Sequence, residues 1–214
     1  TILFKMNAEK VFGESLDYVT TQYGLTKGMK VLVNLQLQNI MNKEAYRKWA
    51  TDREATMKKQ KQEKEQIQLK EDINVITDYL KQNSIEAQVT SAGVHYVIDK
   101  PGQGKKPKQG DKVKVHYTGY LLDGKVFDTS LADVAKQHGI HNPQKMYEAI
   151  EFQLGTGQVI QGWEEGIMYL RQGDQARLFI PSTLAYGSQR MGNGLIPTNA
   201  ILTFEVELVD VLQC

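Results

Sequence analysis

Two adjacent carboxylates, Glu164 and Glu165, follow a tryptophan in the run "QVIQGWEEGI" (158–167). A carboxylate pair beside an aromatic ring is one way to build general acid–base chemistry. The surrounding spacing argues against it here. Gly162 precedes Trp163, Ile167 and Leu170, which recur at helical intervals, and Gly173 closes the segment. Both glutamates then fall in the first turn of a short helix, where negative charge favours the N-terminus. Other candidate chemistry is also weak. Gly155, Gly157 and Gly162 lack the lysine of a phosphate loop and the spacing of a dinucleotide loop. His138 and His141 are three apart but sit in a loop without partner ligands, so neither a metal nor a cofactor is expected. The one cysteine, Cys214, is the last residue, which excludes an intrachain disulfide and a cysteine-based zinc cluster. No Ser–His–Asp set is indicated.

A different constellation, mostly aromatic, is placed by a hairpin. Residues 112–118 alternate cleanly, with Val113, Val115 and Tyr117 on one face. The strand runs into Asp123 and Gly124, a turn signal. A two-residue turn would set Phe127 opposite Tyr120 and away from Tyr117. A three-residue turn with Gly124 left-handed pairs 127 with 119 and returns Phe127 to the face of Tyr117. The second is expected, because it converges two aromatic rings.

The elements around this hairpin divide the 214 residues into three regions: 1–42, 43–84 and 85–214. The last carries strands at 112–118, 151–154, 175–181 and 201–212 and, after the turn in 122–127, the return strand of the hairpin, with Leu202, Phe204, Val206 and Leu208 sharing one face. With the single short helix at 163, these predict an α+β fold, a curved antiparallel β-sheet of about five strands wrapped on that helix. Residues 130–150 form a polar insertion, and Tyr186 to Pro197 form a glycine-rich loop. In the middle region, 12 of the 22 residues from Thr51 to Asp72 are charged, with no glycine or proline. Interleaved signs make this a solvated long helix, not a nucleic-acid patch. It starts at the capping residue Asn42 and ends near Asn83–Ser84, with apolar faces only at its ends: Tyr46, Trp49 and Ala50, then Ile73, Ile76, Tyr79 and Leu80. The first region holds short β-like runs. Residues 31–41 lie over 202–212, 1–6 over 176–181, and 12–15 over 186–188, in the same order, so 1–42 reads as a small β-rich half-repeat of the last region.

A formal charge of +1 provides no field to recruit nucleic acid. No run approaches the ~18 apolar residues of a membrane span. The chain opens at Thr1 without a visible signal, so a trimmed or processed chain is expected.

The blocks "VHYTGYLLDGKVFDTS" (115–130), "FQLGTGQVIQGWEEGI" (152–167), "LAYGS" (184–188) and "LIPTNAILTFEVELVDV" (195–211) resemble the FKBP-type peptidyl-prolyl cis-trans isomerases. The resemblance covers about 85–214. The helix ahead of it is similar to that of macrophage infectivity potentiator-like envelope isomerases, where such helices join subunits. The resemblance implies proline-containing polypeptide substrates, macrolide inhibitors, a homodimer through the N-terminal region and a place in the bacterial cell envelope, periplasmic or lipid-anchored. A half-repeat would suit a degenerate tandem domain.

That activity requires no nucleophile, acid or metal. The barrier to rotation is the ~18–20 kcal/mol of amide resonance, and a catalyst need only bind the twisted amide better than the planar one. By resemblance, Trp163 is the floor of an apolar pocket, with Tyr117, Phe127, Val159, Ile160 and Phe204 as walls. Ile150 replaces an aromatic lining residue. Tyr186 hydrogen-bonds a substrate carbonyl, the Ile160 N–H holds another, Leu195 and Ile196 overhang the pocket, and Asp128 is its polar member. The family commonly pairs that aspartate with an arginine a few residues on, yet 131–149 contains none; Lys136 and Lys145 are the available cations. The alternative is a proline-recognising binding or holdase chaperone module with little or no turnover.

Overall fold

A computed structural model of the chain describes residues 2–35 and 40–212. Thr1, residues 36–39, Gln213 and Cys214 lie outside them. The middle of the 31–41 run, the first residue of the 1–6 run and the lone cysteine therefore belong to the undescribed positions. The chain divides into two compact units, Thr1–Lys58 and Lys59–Cys214.

In the first unit, strand β1 (Ile2–Asn7) pairs antiparallel with β2 (Lys30–Leu35), from Ile2 opposite Leu35 to Asn7 opposite Lys30. Helices α1 (Ala8–Phe12) and α2 (Leu16–Tyr23) fill the connection. The sequence reading had placed only β-like runs here. Helix α3 (Lys43–Gln82) then runs for 40 residues without a glycine or proline to break it. Asn42 caps it, its side-chain oxygen accepting from the Ala45 N–H at 2.9 Å. Ser84, with φ +54°, ends it where expected. Lys59–Glu63 and Lys61–Glu65 are exposed i,i+4 pairs at 3.9 and 3.8 Å, worth about 0.3–0.5 kcal/mol each. They keep the middle of α3 helical without burying it.

The last turns of α3 are different. Ile76 and Leu80 are buried with Phe179 and Ile201, and Tyr79 lies against Phe179 with ring centroids 6.0 Å apart. The apolar residues expected at this end of the helix cover one face of the sheet.

That sheet is antiparallel throughout and has seven strands: β3 (Gln88–Val89), β4 (His95–Lys100), β5 (Lys112–Leu121), β6 (Val126–Thr129), β7 (Ile150–Gln153), β8 (Gln175–Ile180) and β9 (Leu202–Leu212). The order is β3-β4-β8-β9-β5-β6, with β7 also on β5. Two strands, β3 and β4, add to the five read from sequence. Long β5 bonds β9 along one edge and divides the other between β7, at 112–115, and β6, at 118–120. Helices α4 (Ala132–Gln137) and α5 (Gln161–Ile167) complete the unit. The insertion therefore folds a second short helix beside the single one expected.

The core lies between the sheet and α5. Leu202, Phe204, Val206 and Leu208 are buried as their alternation requires. A bulge opposite Lys114 and Val115 then shifts the phase of β9, so Val211 is the next buried residue. Trp163 and Ile167 meet this face from α5, and Leu170 from the turn after it. Gly162 is the second residue of α5 and not the residue before it; a Cβ there would stand 2.2 Å from the Ile180 side chain. Its absence lets the helix sit down on β8.

Candidate functional site

The β5–β6 hairpin turns as its sequence indicates. Leu121 bonds Lys125 across a three-residue turn, the Leu121 N–H reaching the Lys125 carbonyl at 2.9 Å, and Gly124 has φ +85°. The register beyond it corrects the expectation. Tyr120 pairs with Val126, but Gly119 pairs with Asp128 and not with Phe127. Phe127 is the extra residue of a β-bulge. A regular strand would send consecutive side chains to opposite faces. The bulge brings both Phe127 and Asp128 to the side of Tyr117, so the two aromatics converge and a carboxylate joins them.

Gly119 makes room for the rings. A Cβ at this position would lie 2.6 Å from the Phe127 ring and 2.8 Å from the Phe204 ring. Phe127 packs edge-on to Phe204 at 5.6 Å, and Phe204 meets Trp163 edge-on at 5.2 Å. Tyr117 in turn meets Trp163 edge-on at 5.1 Å. Edge-to-face contacts of this kind fix each ring by its neighbours.

These rings border a cavity of about 400 Å³, lined by Tyr117, Phe127, Asp128, Ile150, Gln158, Val159, Ile160, Trp163, Tyr186 and Phe204. Nine of the eleven residues singled out from sequence are in that lining. Leu195 and Ile196 are not: Leu195 is exposed, and Ile196 is buried in the core cluster. Met191 and Ile196 form an isolated bridge that turns the loop's apolar residue inward instead of over the cavity. Gln158, missed by the sequence reading, is held by the Gln153 N–H donating to its side-chain oxygen at 3.0 Å. A polar residue in a glycine-flanked turn gave no periodic signal to find it.

Three groups supply polarity. Tyr117 donates its hydroxyl proton to Asp128 at 2.6 Å, and the other Asp128 oxygen accepts from the Thr129 N–H at 2.9 Å. Lys145 pairs with Asp128 and reaches the Thr129 carbonyl at 2.9 Å. Of the two lysines of the insertion named above, it is therefore Lys145 that meets Asp128, while Lys136 pairs with Asp133. The ammonium also stands 5.8 Å from the Tyr117 ring centre and 5.6 Å from that of Tyr147. Burial, then the bond to Asp128, pushes the Tyr117 hydroxyl pKa well up. Burial and the Asp128 charge raise Tyr186 likewise. Both phenols stay neutral donors at ordinary pH. Among the described residues, neither the Tyr186 hydroxyl nor the Ile160 N–H has a hydrogen-bond partner.

Glu164 and Glu165 stand outside the lining. Glu164 accepts from the Gly157 N–H at 2.8 Å, tying the preceding turn to α5. His141 stacks on Tyr147 at 5.3 Å. Among the described residues, no three His, Cys, Asp or Glu side chains are grouped to hold a metal, and no helix is long and apolar enough to cross a membrane.

Beside the ring-lined cavity, the insertion and β5 enclose a second one of about 590 Å³, lined by residues that include Lys114, Ser130, Lys145, Met146, Glu148 and Glu151. Tyr117 and Ile150 line both.

Comparison with known proteins matches the same residues. Residues 103–209 fit the family model of the FKBP-type peptidyl-prolyl cis-trans isomerases. The FK506-binding protein 2 of Candida glabrata is 50% identical over 109 residues, covering 50% of this chain and 70% of that protein. The FKBP-type peptidyl-prolyl cis-trans isomerase FkpA of Aeromonas hydrophila is 42% identical over 136 residues; the match covers 63% of this chain but only 44% of that relative. The crystal structure of FkpA from Escherichia coli superposes with a TM-score of 0.51 at 30% identity, over 80% of this chain and 74% of that one. The chain belongs to the FKBP-type peptidyl-prolyl cis-trans isomerases.

Proposed function

We propose that the ring-lined cavity is where this chain isomerises X–Pro bonds during protein folding. The observation that carries this reading is the mutual edge-on packing of Tyr117, Trp163, Phe204 and Phe127 around a cavity that has Asp128 at its border. A prolyl ring on Trp163 sits among apolar walls. Rotation removes amide resonance and with it charge on the carbonyl oxygen, so a poorly hydrated cavity disfavours the planar form relative to the twisted one. The Tyr186 hydroxyl and the Ile160 N–H are the donors that hold the flanking carbonyls. Asp128, fixed by Tyr117, the Thr129 N–H and Lys145, sets the polar edge beside which the carbonyl turns and orients the groups around it. No bond is made to the protein, and no proton is exchanged.

The test is the cis-to-trans conversion of a proline-containing peptide, which the chain is expected to accelerate and a macrolide of the FK506 type to inhibit. Conversion at the rate of buffer alone would end the reading. A second reading is favoured by the adjoining larger cavity, which shares Tyr117 and Ile150 with the first and continues along the insertion between charged and apolar residues. In it, the chain holds proline-containing segments with little turnover. Suppression of client aggregation by a chain that has no isomerase activity, and that survives Asp128→Ala and Phe127→Ala, would select it.

The region reading of the sequence also stands as part of this proposal: 1–42 a half-repeat, 43–84 a helical spacer and 85–214 the isomerase domain. Similarity to envelope isomerases supports a place in the periplasm or on a lipid anchor, and self-association through the N-terminal region. Light scattering of the chain with and without residues 1–84 tests the last point, a change of oligomer being the expected outcome.

A further inference from the structure

Tyr186 reaches the cavity from the loop between β8 and β9, apart from the β7–α5 loop that carries Gln158, Val159 and Ile160. Loops are positioned by what their backbone groups bond. Around Tyr186, those bonds close a ring that passes through α3. The Ser182 carbonyl accepts from the N–H groups of Ala185 and Gly187, on either side of Tyr186, at 3.0 and 2.8 Å. The Gly187 carbonyl accepts from the Asn199 N–H at 2.8 Å. The Asn199 amide donates to the Gln68 side-chain oxygen at 2.8 Å. The Gln68 amide donates to Asp72 at 2.9 Å. The other Asp72 oxygen accepts from both the N–H and the hydroxyl of Ser182, at 2.7 and 2.6 Å.

Two features indicate more than helix docking. Asp72 is 3% exposed. A buried carboxylate without a countercharge is costly, and three donors are the compensation found here. An apolar residue, as at Ile76 and Leu80 one and two turns on, would have docked α3 more simply. Asn199 is also one of two described non-glycine residues with positive φ, at +54°. Asparagine tolerates that conformation, and it aims the backbone N–H at Gly187 while the side chain meets Gln68.

We propose that Asp72 and Gln68 are positioning residues for Tyr186, so that α3 fixes one wall of the proline site. The proposal rests on the isomerase reading, and its test has readouts that do not need turnover. Amide exchange of Ser182, Gly187 and Asn199 reports the ring. The Kd of a proline-containing tetrapeptide, followed by Trp163 fluorescence in a Trp49→Phe background, reports the cavity, and kcat/KM reports catalysis.

In Asp72→Ala, these three amides are expected to exchange about tenfold faster while the β5–β9 ladder keeps its protection. The Kd should rise and kcat/KM fall by about fivefold or more. Ser182→Ala retains the backbone bond to Asp72, and Gln68→Ala opens the other arm at a half-buried residue. Both are therefore expected to fold and to show smaller changes of the same sign. Glu63→Ala, on the exposed stretch of α3, should match the parent. Faster exchange with Kd and kcat/KM unchanged within about twofold in all three variants would reduce the ring to helix docking and overturn the proposal. So would unchanged exchange in Ser182→Ala and Gln68→Ala. A parent that binds the peptide without turning it over sinks the isomerase reading alone, and the Kd series then decides the positioning role.

Discussion

Lys145 reaches back 17 residues to Asp128, pairing with its carboxylate and donating to the Thr129 carbonyl at 2.9 Å. One lysine therefore joins the insertion to the polar edge of the cavity. The pair is only partly buried, with Lys145 33% and Asp128 46% exposed, so its value is in orientation more than in stability. Lys145→Ala is expected to lower kcat/KM by about three- to tenfold with little change in thermal midpoint. Lys145→Arg should retain most of the activity, since a guanidinium can serve both acceptors. The same pairing makes activity fall as salt is raised, because a partly exposed pair is screened. Peptide isomerisation measured for the three proteins at low and high ionic strength checks all three points.

The hairpin shows how far the residues alone determine this site. Asp123–Gly124 specified the turn and its left-handed residue, and alternation specified which side of β5 and β9 faces inward. The bulge at Phe127 was not legible, because an extra residue in a four-residue strand leaves the composition and hydropathy of the strand unchanged. Its consequence, that Phe127 and Asp128 share a side, depends on the partner strand. The Leu195–Ile196 misplacement has a similar origin. Whether an apolar loop residue covers a cavity or enters the core depends on how the loop closes, here through Met191 and Ile196. Asp72 was hidden for another reason. It stands on the face of Ile76 and Leu80, one and two turns before them, but in a run of 12 charges among 22 residues a carboxylate reads as part of the solvated stretch.

Gly119 provides a test of the ring cluster that removes no atom from the cavity. Its missing Cβ is the space into which Phe127 and Phe204 pack, at 2.6 and 2.8 Å from the position a methyl would occupy. Gly119→Ala must displace one ring or bend β5. Overpacking of this kind costs about 1–3 kcal/mol. The expected result is a lower midpoint in chemical denaturation and a loss of about tenfold in kcat/KM, larger than stability alone explains, since the folded fraction remains near unity. A near-parent kcat/KM would mean that Phe127 does not shape the reacting site.

Ile150 offers the opposite change. It is 36% exposed, lines both cavities, and stands at the start of β7 where β5 pairs it with Val115. Ile150→Phe adds an aromatic edge to the ring set without disturbing the buried core, at a position whose partial exposure leaves room for the larger side chain. Apolar contact of this order is worth about 1 kcal/mol. Tighter binding of an FK506-type macrolide, by about fivefold, is the expected outcome, with thermal stability unchanged. Fluorescence titration against Trp163 measures it.

The half-buried phenols set an alkaline limit. An unfolded tyrosine loses its proton near pH 10, whereas burial and the Asp128 bond hold the Tyr117 proton to a much higher pH in the native state. Tyr120 is pushed up to about 12 by burial, then by its bond to Glu205. Below pH 10, both states keep these protons and the phenols add no pH dependence. Above it, the unfolded chain releases protons that the native chain retains, so stability falls as pH rises through the native values. Denaturation midpoints recorded between pH 8 and 11 should be level at first and then decline. Tyr117→Phe removes one of the contributing groups and should make the decline shallower. Over the same lower range, kcat/KM is expected to stay flat, because Tyr117 and Tyr186 remain protonated and rotation needs no proton transfer. A bell-shaped profile with a maximum near neutrality would instead require an acid or base at the cavity, contrary to the non-covalent mechanism.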